Sequence, residues 1–142
     1  MTGGGTGIGR AIALLLASEG ARIVVAGRRS EPLQQVVQEI RARGGSATFC
    51  RGDVSKPDRV DLMVQGAIYN FGGLDILVNN ADTFAEGTVV DTDEKKWDRI
   101  LGTNLKGVYL VSRQAVPAMR DRGGGAIINN ASVHGMVAMK NG

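Results

Sequence analysis

Apolar positions along the chain fall into two periods, and the two alternate. Residues 8–18 (IGRAIALLLAS) are apolar and poor in β-branched side chains, which predicts a helix closed by Gly20 just past its end. Residues 23–26 (IVVA) form an apolar run too short for a helix and predict a strand. In residues 31–43, Leu33, Val36, Val37 and Ile40 recur at spacings of three and four. That is the stripe of an amphipathic helix, and Gly44-Gly45 ends it. A strand is predicted over 47–50, then a helix over 57–71 with Ser55 as its cap and Pro57 in its first turn. Residues 74–78 (LDILV) read as a buried strand. Residues 93–120 read as one long helix with Trp97, Ile100, Leu101, Leu105, Val108 and Val111 on its apolar side. Residues 126–129 give a last strand, and 131–142 read as loop.

Strands that alternate with long helices predict βαβ units and a parallel sheet. Right-handed crossovers then make a doubly wound α/β layer the natural packing. Ligands of such sheets bind at the carboxyl ends of the strands, so the loops after Ala26, Cys50, Val78 and Asn129 are where chemistry is expected. No repeat, low-complexity tract or linker interrupts residues 1–142, which read as a single domain.

Composition narrows the function classes. At 142 residues, 43% hydrophobic and 22% charged, the chain has the balance of a folded globular domain. One cysteine excludes an internal disulfide, and one histidine with one cysteine excludes a structural zinc site; no metal is expected. A net charge of +3, scattered along the sequence, gives no basis for nucleic-acid binding. No apolar run approaches the ~18 residues that a membrane span needs, and no signal segment opens the sequence. The excess lies in glycine, 21 residues against an ordinary share of about 7%.

Much of that glycine stands at the start. Thr2-Gly3-Gly4-Gly5-Thr6-Gly7-Ile8-Gly9 runs directly into a helix. The spacing is GxxxGxG and not GxGxxG, but the physics is shared: bare backbone N–H groups can approach a diphosphate, and the helix amino terminus adds partial positive charge. A tight turn with no ligand is the plainer alternative. The following strand ends in Gly27-Arg28-Arg29, with no carboxylate at its tip to meet a ribose 2′-hydroxyl. Two guanidiniums there suit a 2′-phosphate through their planar forks, which favours NADP over NAD. Pairing of one arginine with Glu31 is the alternative.

Taken in order, these motifs resemble the short-chain dehydrogenase/reductase family. TGGGTGIG matches its cofactor loop; Asp53-Val54 matches the pair that contacts adenine; Asn79-Asn80-Ala81 matches most of its NNAG motif. Asn104, within TNLKG, matches a helix asparagine that anchors a water in a proton relay. Ser132, in IINNASVHG, matches the catalytic serine. Singly, each has a plainer role: Asp53 a loop cap, Asn79 and Asn80 turn formers, Asn104 a back-bonding helix residue, Ser132 a loop hydroxyl. The resemblance implies a Rossmann-like fold and hydride transfer between a nicotinamide and a small carbonyl or alcohol. The serine would polarise the substrate oxygen, a tyrosine would act as general acid/base, and a lysine four residues on would lower its pKa. The absence of an export signal, the lone thiol and the cofactor class give cytoplasmic location as the expectation, and the resemblance implies a homo-oligomer in the full-length form, built in part on residues 108–115.

The sequence departs from the family pattern in three places. The tyrosine of YxxxK falls just past Gly142 when counted from Ser132; Tyr69 and Tyr109 lie on predicted helices and lead to Gly73 and Arg113, and Lys140 is no substitute. Only Met1 stands where an apolar central strand should precede the glycine loop. Asp82 takes the place of the motif's glycine. The expectation is a partial domain lacking the first central strand and the C-terminal strands, a piece of a longer reductase without turnover of its own. A non-catalytic remnant that binds nucleotide or a homologous subunit is the alternative. His134 beside Ser132 suggests a Ser–His couple but lacks an orienting third group. Cys50 reads as a small core residue, Trp97 as core or subunit interface, and Met136 and Met139 as pocket lining or loop packing.

Overall fold

The computed structural model describes residues 1–137. Its elements are α1 (Gly7–Ser18), β1 (Ile23–Gly27), α2 (Ser30–Ala42), β2 (Ala47–Arg51), α3 (Pro57–Phe71), β3 (Ile76–Asn79), α4 (Glu94–Leu101), a π-helical segment (Gly102–Lys106), α5 (Gly107–Arg120), β4 (Ala126–Asn129) and a 3₁₀ turn (Val133–Gly135). Met139 and Lys140 lie outside the described residues.

Side chains alternate across β1 as its apolar run requires. Val25 enters one core with Ala13, Leu33, Val36, Val37 and Ile40, so α1 and α2 cover that face. Ala26 enters another with Val60, Met63, Leu77, Leu110, Val111 and Ala115, so α3 and α5 cover the opposite face. Helices on both faces make the layer doubly wound, as expected.

The sheet consists of two parallel pairs. β1 pairs with β2 in the register Ile23↔Ala47 to Gly27↔Arg51, and β3 pairs with β4 from Ile76↔Ala126 to Asn79↔Asn129. Met1 and Thr2 join them. The Met1 amine donates to the Val24 carbonyl at 3.0 Å. Ala26 N–H donates to the Met1 carbonyl at 2.9 Å, and Thr2 N–H donates to the Val78 carbonyl at 3.0 Å. The order across the molecule is β2, β1, Met1–Thr2, β3, β4. Behind Thr2, β1 and β3 are separated by a gap of about 240 Å³ walled by Ile23, Val24, Ile76 and Val78. The chain steps outward from β1 to β2 and then crosses back to β3, so its direction reverses beside the glycine turn. That reversal is the switch point at which doubly wound sheets take ligands.

Three expectations need correction. The helix expected over 93–120 is interrupted by the π-helical segment Gly102–Lys106, which its apolar stripe does not reveal. Ser55 does not cap α3: Lys56 occupies that position without a side-chain bond, and Ser55 turns back to Asp53. The strand expected from residue 74 begins at Ile76, because Leu74 packs against the α3–α5 core ahead of the ladder.

Candidate functional site

A cavity of about 810 Å³ opens at the carboxyl ends of the strands. That volume lies within the ~300–1,000 Å³ typical of small-molecule and cofactor sites. Its floor is the glycine turn. Gly3, Gly5, Thr6, Ile8 and Gly9 line it, whereas Thr2 and Gly7 do not. Thr2 is buried and works inward: its Oγ1 accepts from Asn80 N–H at 3.0 Å and Ala81 N–H at 3.1 Å. Asn80 answers with Nδ2, which donates to the Thr2 and Gly3 carbonyls at 3.3 and 3.2 Å. The turn after β3 and the glycine turn are therefore one hydrogen-bonded unit.

The same closeness dictates Gly9. A Cβ there would stand 2.2 Å from the Gly3 carbonyl oxygen and 2.5 Å from Asn80 Nδ2. Thr6, at the N-cap of α1, is extended and supplies no side-chain cap. The first-turn amides of α1 thus stay available to a ligand, beside the positive end of the helix dipole. Bare backbone, free amides and a cradle that a methyl group would fill together suit a diphosphate.

On one side of this floor, Arg28 and Arg29 occupy the turn between β1 and α2 and both line the cavity. Among the described residues neither guanidinium has an ion-pair or hydrogen-bond partner, so the pairing with Glu31 does not occur. Asp53 and Val54 line the cavity beyond them. Asp53 Oδ1 accepts from Ser55 N–H at 2.9 Å and Ser55 Oγ–H at 2.8 Å, the loop-cap geometry. Partial burial pushes its carboxyl up. The two Ser55 bonds and the charges of Arg28 and Lys56 outweigh this and hold it below the usual aspartate value. Val54 turns its side chain into the α3–α5 core.

On the other side stand Asn104 and Ser132, which the fold brings to one cavity although 28 positions separate them in sequence. Asn104 sits in the π-helical segment, and both polar atoms of its side chain bond to one residue. Its Oδ1 accepts from Thr83 N–H, and its Nδ2 donates to the Thr83 carbonyl, both at 2.9 Å. Ser132 Oγ accepts from His134 N–H at 3.1 Å. The His134 backbone, not its imidazole, meets the serine, so the pair is a small turn and not a nucleophile with its base. Tyr69 and Tyr109 stand on exposed faces away from the cavity lining, and Asp82 adds a carboxylate to its wall. Cys50 is half-buried against the core, and burial pushes its thiol up against the opposing charge of Arg59.

Sequence reasoning missed an asparagine ladder. Asn79 Nδ2 donates to Asn129 Oδ1 at 2.9 Å and to Ser112 Oγ at 3.1 Å. One step on, Asn130 Nδ2 donates to Asn80 Oδ1 at 2.8 Å. The repeated Asn-Asn at the ends of β3 and β4 is its signal in the sequence.

The sequence matches the short chain dehydrogenase family over residues 1–142. The chain belongs to that family. It is 41% identical over 139 residues to a 3-oxoacyl-(acyl-carrier-protein) reductase of Staphylococcus aureus, covering 96% of this chain and 56% of the relative. It is 37% identical over 139 residues to an uncharacterized oxidoreductase of Thermotoga maritima, covering 98% of this chain and 55% of the relative. A metagenomic short-chain oxidoreductase solved in complex with NADP superposes with a TM-score of 0.94 at 38% identity, over 99% of this chain and 64% of that one. The chain thus spans little more than half the length of the curated relatives it matches. Its fold is the Rossmann-like α/β fold of these short-chain dehydrogenases. Among the described residues no helix is long and apolar enough to cross a membrane, and no three His, Cys, Asp or Glu side chains group as metal ligands.

Proposed function

We propose that this chain forms the NADP-binding part of a short-chain oxidoreductase that moves hydride between the nicotinamide and a small carbonyl or alcohol. The observation that carries the reading is the two unpartnered guanidiniums at the rim of a glycine-floored cavity. One end of that cavity fits a diphosphate, and the other presents Asn104 and Ser132. The NADP complex of a relative 38% identical to this chain supports the same cofactor.

Each residue then has a task. The turn formed by Gly3, Gly5, Thr6, Gly7, Ile8 and Gly9 receives the diphosphate, with Thr2 holding that turn against Asn80 and Ala81. Arg28 and Arg29 take the 2′-phosphate, and Asp53 with Val54 borders the adenine. The bound nicotinamide supplies or accepts the hydride. Ser132 donates its hydroxyl to the substrate oxygen and stabilises charge developing there. Asn104 spends its side chain on Thr83, so its part in proton movement falls to its backbone carbonyl, which can hold a water where π-helical geometry loosens the ladder.

A second reading, nucleotide binding without turnover, is favoured by one observation: neither Tyr69 nor Tyr109 lines the cavity. Titration with NADPH and NADH tests the first reading. Tight NADPH binding that falls to NADH level in Arg28→Ala supports it; an unchanged NADPH preference in that variant overturns it. Assay of residues 1–142 with NADPH and simple carbonyl compounds separates the readings, since cofactor consumption would rule out binding alone.

A further inference from the structure

The turn that carries Arg28 and Arg29 is two residues long, between Gly27 at the end of β1 and Ser30 at the start of α2. A span so short can present both guanidiniums to one phosphate only if its backbone is held. α2 does not hold it through a cap, because Arg29 at the N-cap makes no side-chain bond. The end of β2 does. Arg51 stands opposite Gly27 in the parallel register, and the next residue, Gly52, donates its N–H to the Gly27 carbonyl at 2.9 Å. The Arg51 side chain reaches one residue further, and its Nε–H donates to the Arg28 carbonyl at 3.2 Å. Arg51 and the residue after it thus fasten two adjacent carbonyls, the last of β1 and the first of the turn. Arg51 itself is exposed and does not line the cavity.

We infer that Arg51 is a positioning residue for cofactor choice: by holding the Arg28 carbonyl it sets the turn in the conformation that selects the 2′-phosphate. This inference rests on the NADP reading above. Its chemistry is specific to one atom. Glutamine carries an N–H donor the same number of bonds from Cα as arginine Nε, without the charge. Lysine keeps the charge but has only a methylene at that place.

The experiment is a comparison of NADPH and NADH dissociation constants, by cofactor fluorescence, for the parent protein and for Arg51→Met, Arg51→Gln, Arg51→Lys and Arg28→Ala. The guanidinium bond is charge-assisted but solvent-exposed, and a net ~0.5–1.5 kcal/mol for it corresponds to about 2- to 12-fold in affinity. Arg51→Met is expected to weaken NADPH binding by about that factor and leave NADH binding unchanged. Arg51→Gln is expected to restore NADPH affinity, and Arg51→Lys is not. Equal weakening of both cofactors by Arg51→Met would show a merely structural role and overturn the inference. So would restoration by lysine in place of glutamine, or no effect at all. If Arg28→Ala abolishes the NADPH preference while Arg51→Met does not, this inference alone falls; if Arg28→Ala leaves the preference intact, the NADP reading falls with it.

Discussion

At the scale of single residues, the site depends on what is small and on what is shared. Gly9 has no room for one more carbon, since a Cβ would meet the Gly3 carbonyl oxygen and the Asn80 amide at once. Because both neighbours belong to the hydrogen-bonded floor, neither can yield cheaply. Gly9→Ala is therefore expected to cost about 1–3 kcal/mol in urea unfolding and to remove NADPH binding. Binding at parent affinity would show that the floor tolerates displacement. Asp53 ties stability to pH. Its carboxyl lies below the ordinary value through the Ser55 bonds and the Arg28 and Lys56 charges, which outweigh burial. The ionised form is thus the one the fold favours. Its stabilisation is complete above the unfolded aspartate range of about 4 and is lost as pH falls through the lower folded-state value. Asp53→Asn should lower the urea midpoint at neutral pH and converge with the parent in acid; a constant difference at both would exclude this linkage. The residues themselves were legible in the sequence, because each motif names chemical types. What Thr2 and Asn104 do was not. Thr2 turns inward to two amides and Asn104 spends its side chain on Thr83, and each bond joins segments far apart in the chain.

At the scale of elements, periodicity located the helices and strands to within a residue or two, and most of them bury one stripe or one short run, α4 and β4 excepted. It could not locate the π-helical segment. A widened turn shifts the face that follows it. Trp97 and Leu105 of the expected stripe are exposed, while Leu110, Val111 and Ala115 are buried. The segment meets the Thr83 backbone through Asn104 and is followed by Gly107 against Val54. Gly107, the first residue of α5, shows the constraint. A Cβ there would come 2.7 Å from Val54 Cγ2, so α5 can approach the loop after β2 only with glycine at this point. Gly107→Ala should destabilise the protein by about 1–3 kcal/mol. Val54→Ala should lose stability alone yet recover part of it in the double variant, a coupling that a thermodynamic cycle measures. Strict additivity would mean that the two side chains do not meet. Ser55 is not the cap because α3 starts one residue too late for it: Lys56 is the N-cap, and the Ser55 N–H and hydroxyl both donate to Asp53 Oδ1.

At the scale of the whole molecule, helices cover both faces around β1, and among the described residues Met1 and Thr2 join the two parallel pairs. Parallel strands direct successive peptide groups to opposite neighbours. Ile23 N–H donates to Ser46 of the β2 side, whereas Val24 and Ala26 face Met1. The Val24 N–H therefore points into the gap between β1 and β3, while the Val25 N–H belongs to the β1–β2 ladder. The alternation of strands and helices made the layered architecture legible. The depth of the division depends on pairing across the molecule, which no local pattern encodes.

Thr2 brings these scales together. Its backbone links the β1 and β3 halves, and its hydroxyl holds the loop after β3 against the glycine turn. Whatever settles on that turn braces the same residue that keeps the halves in register, so occupancy and cohesion rise as one. A dinucleotide would act here as a clasp across the seam of the protein as well as a reagent.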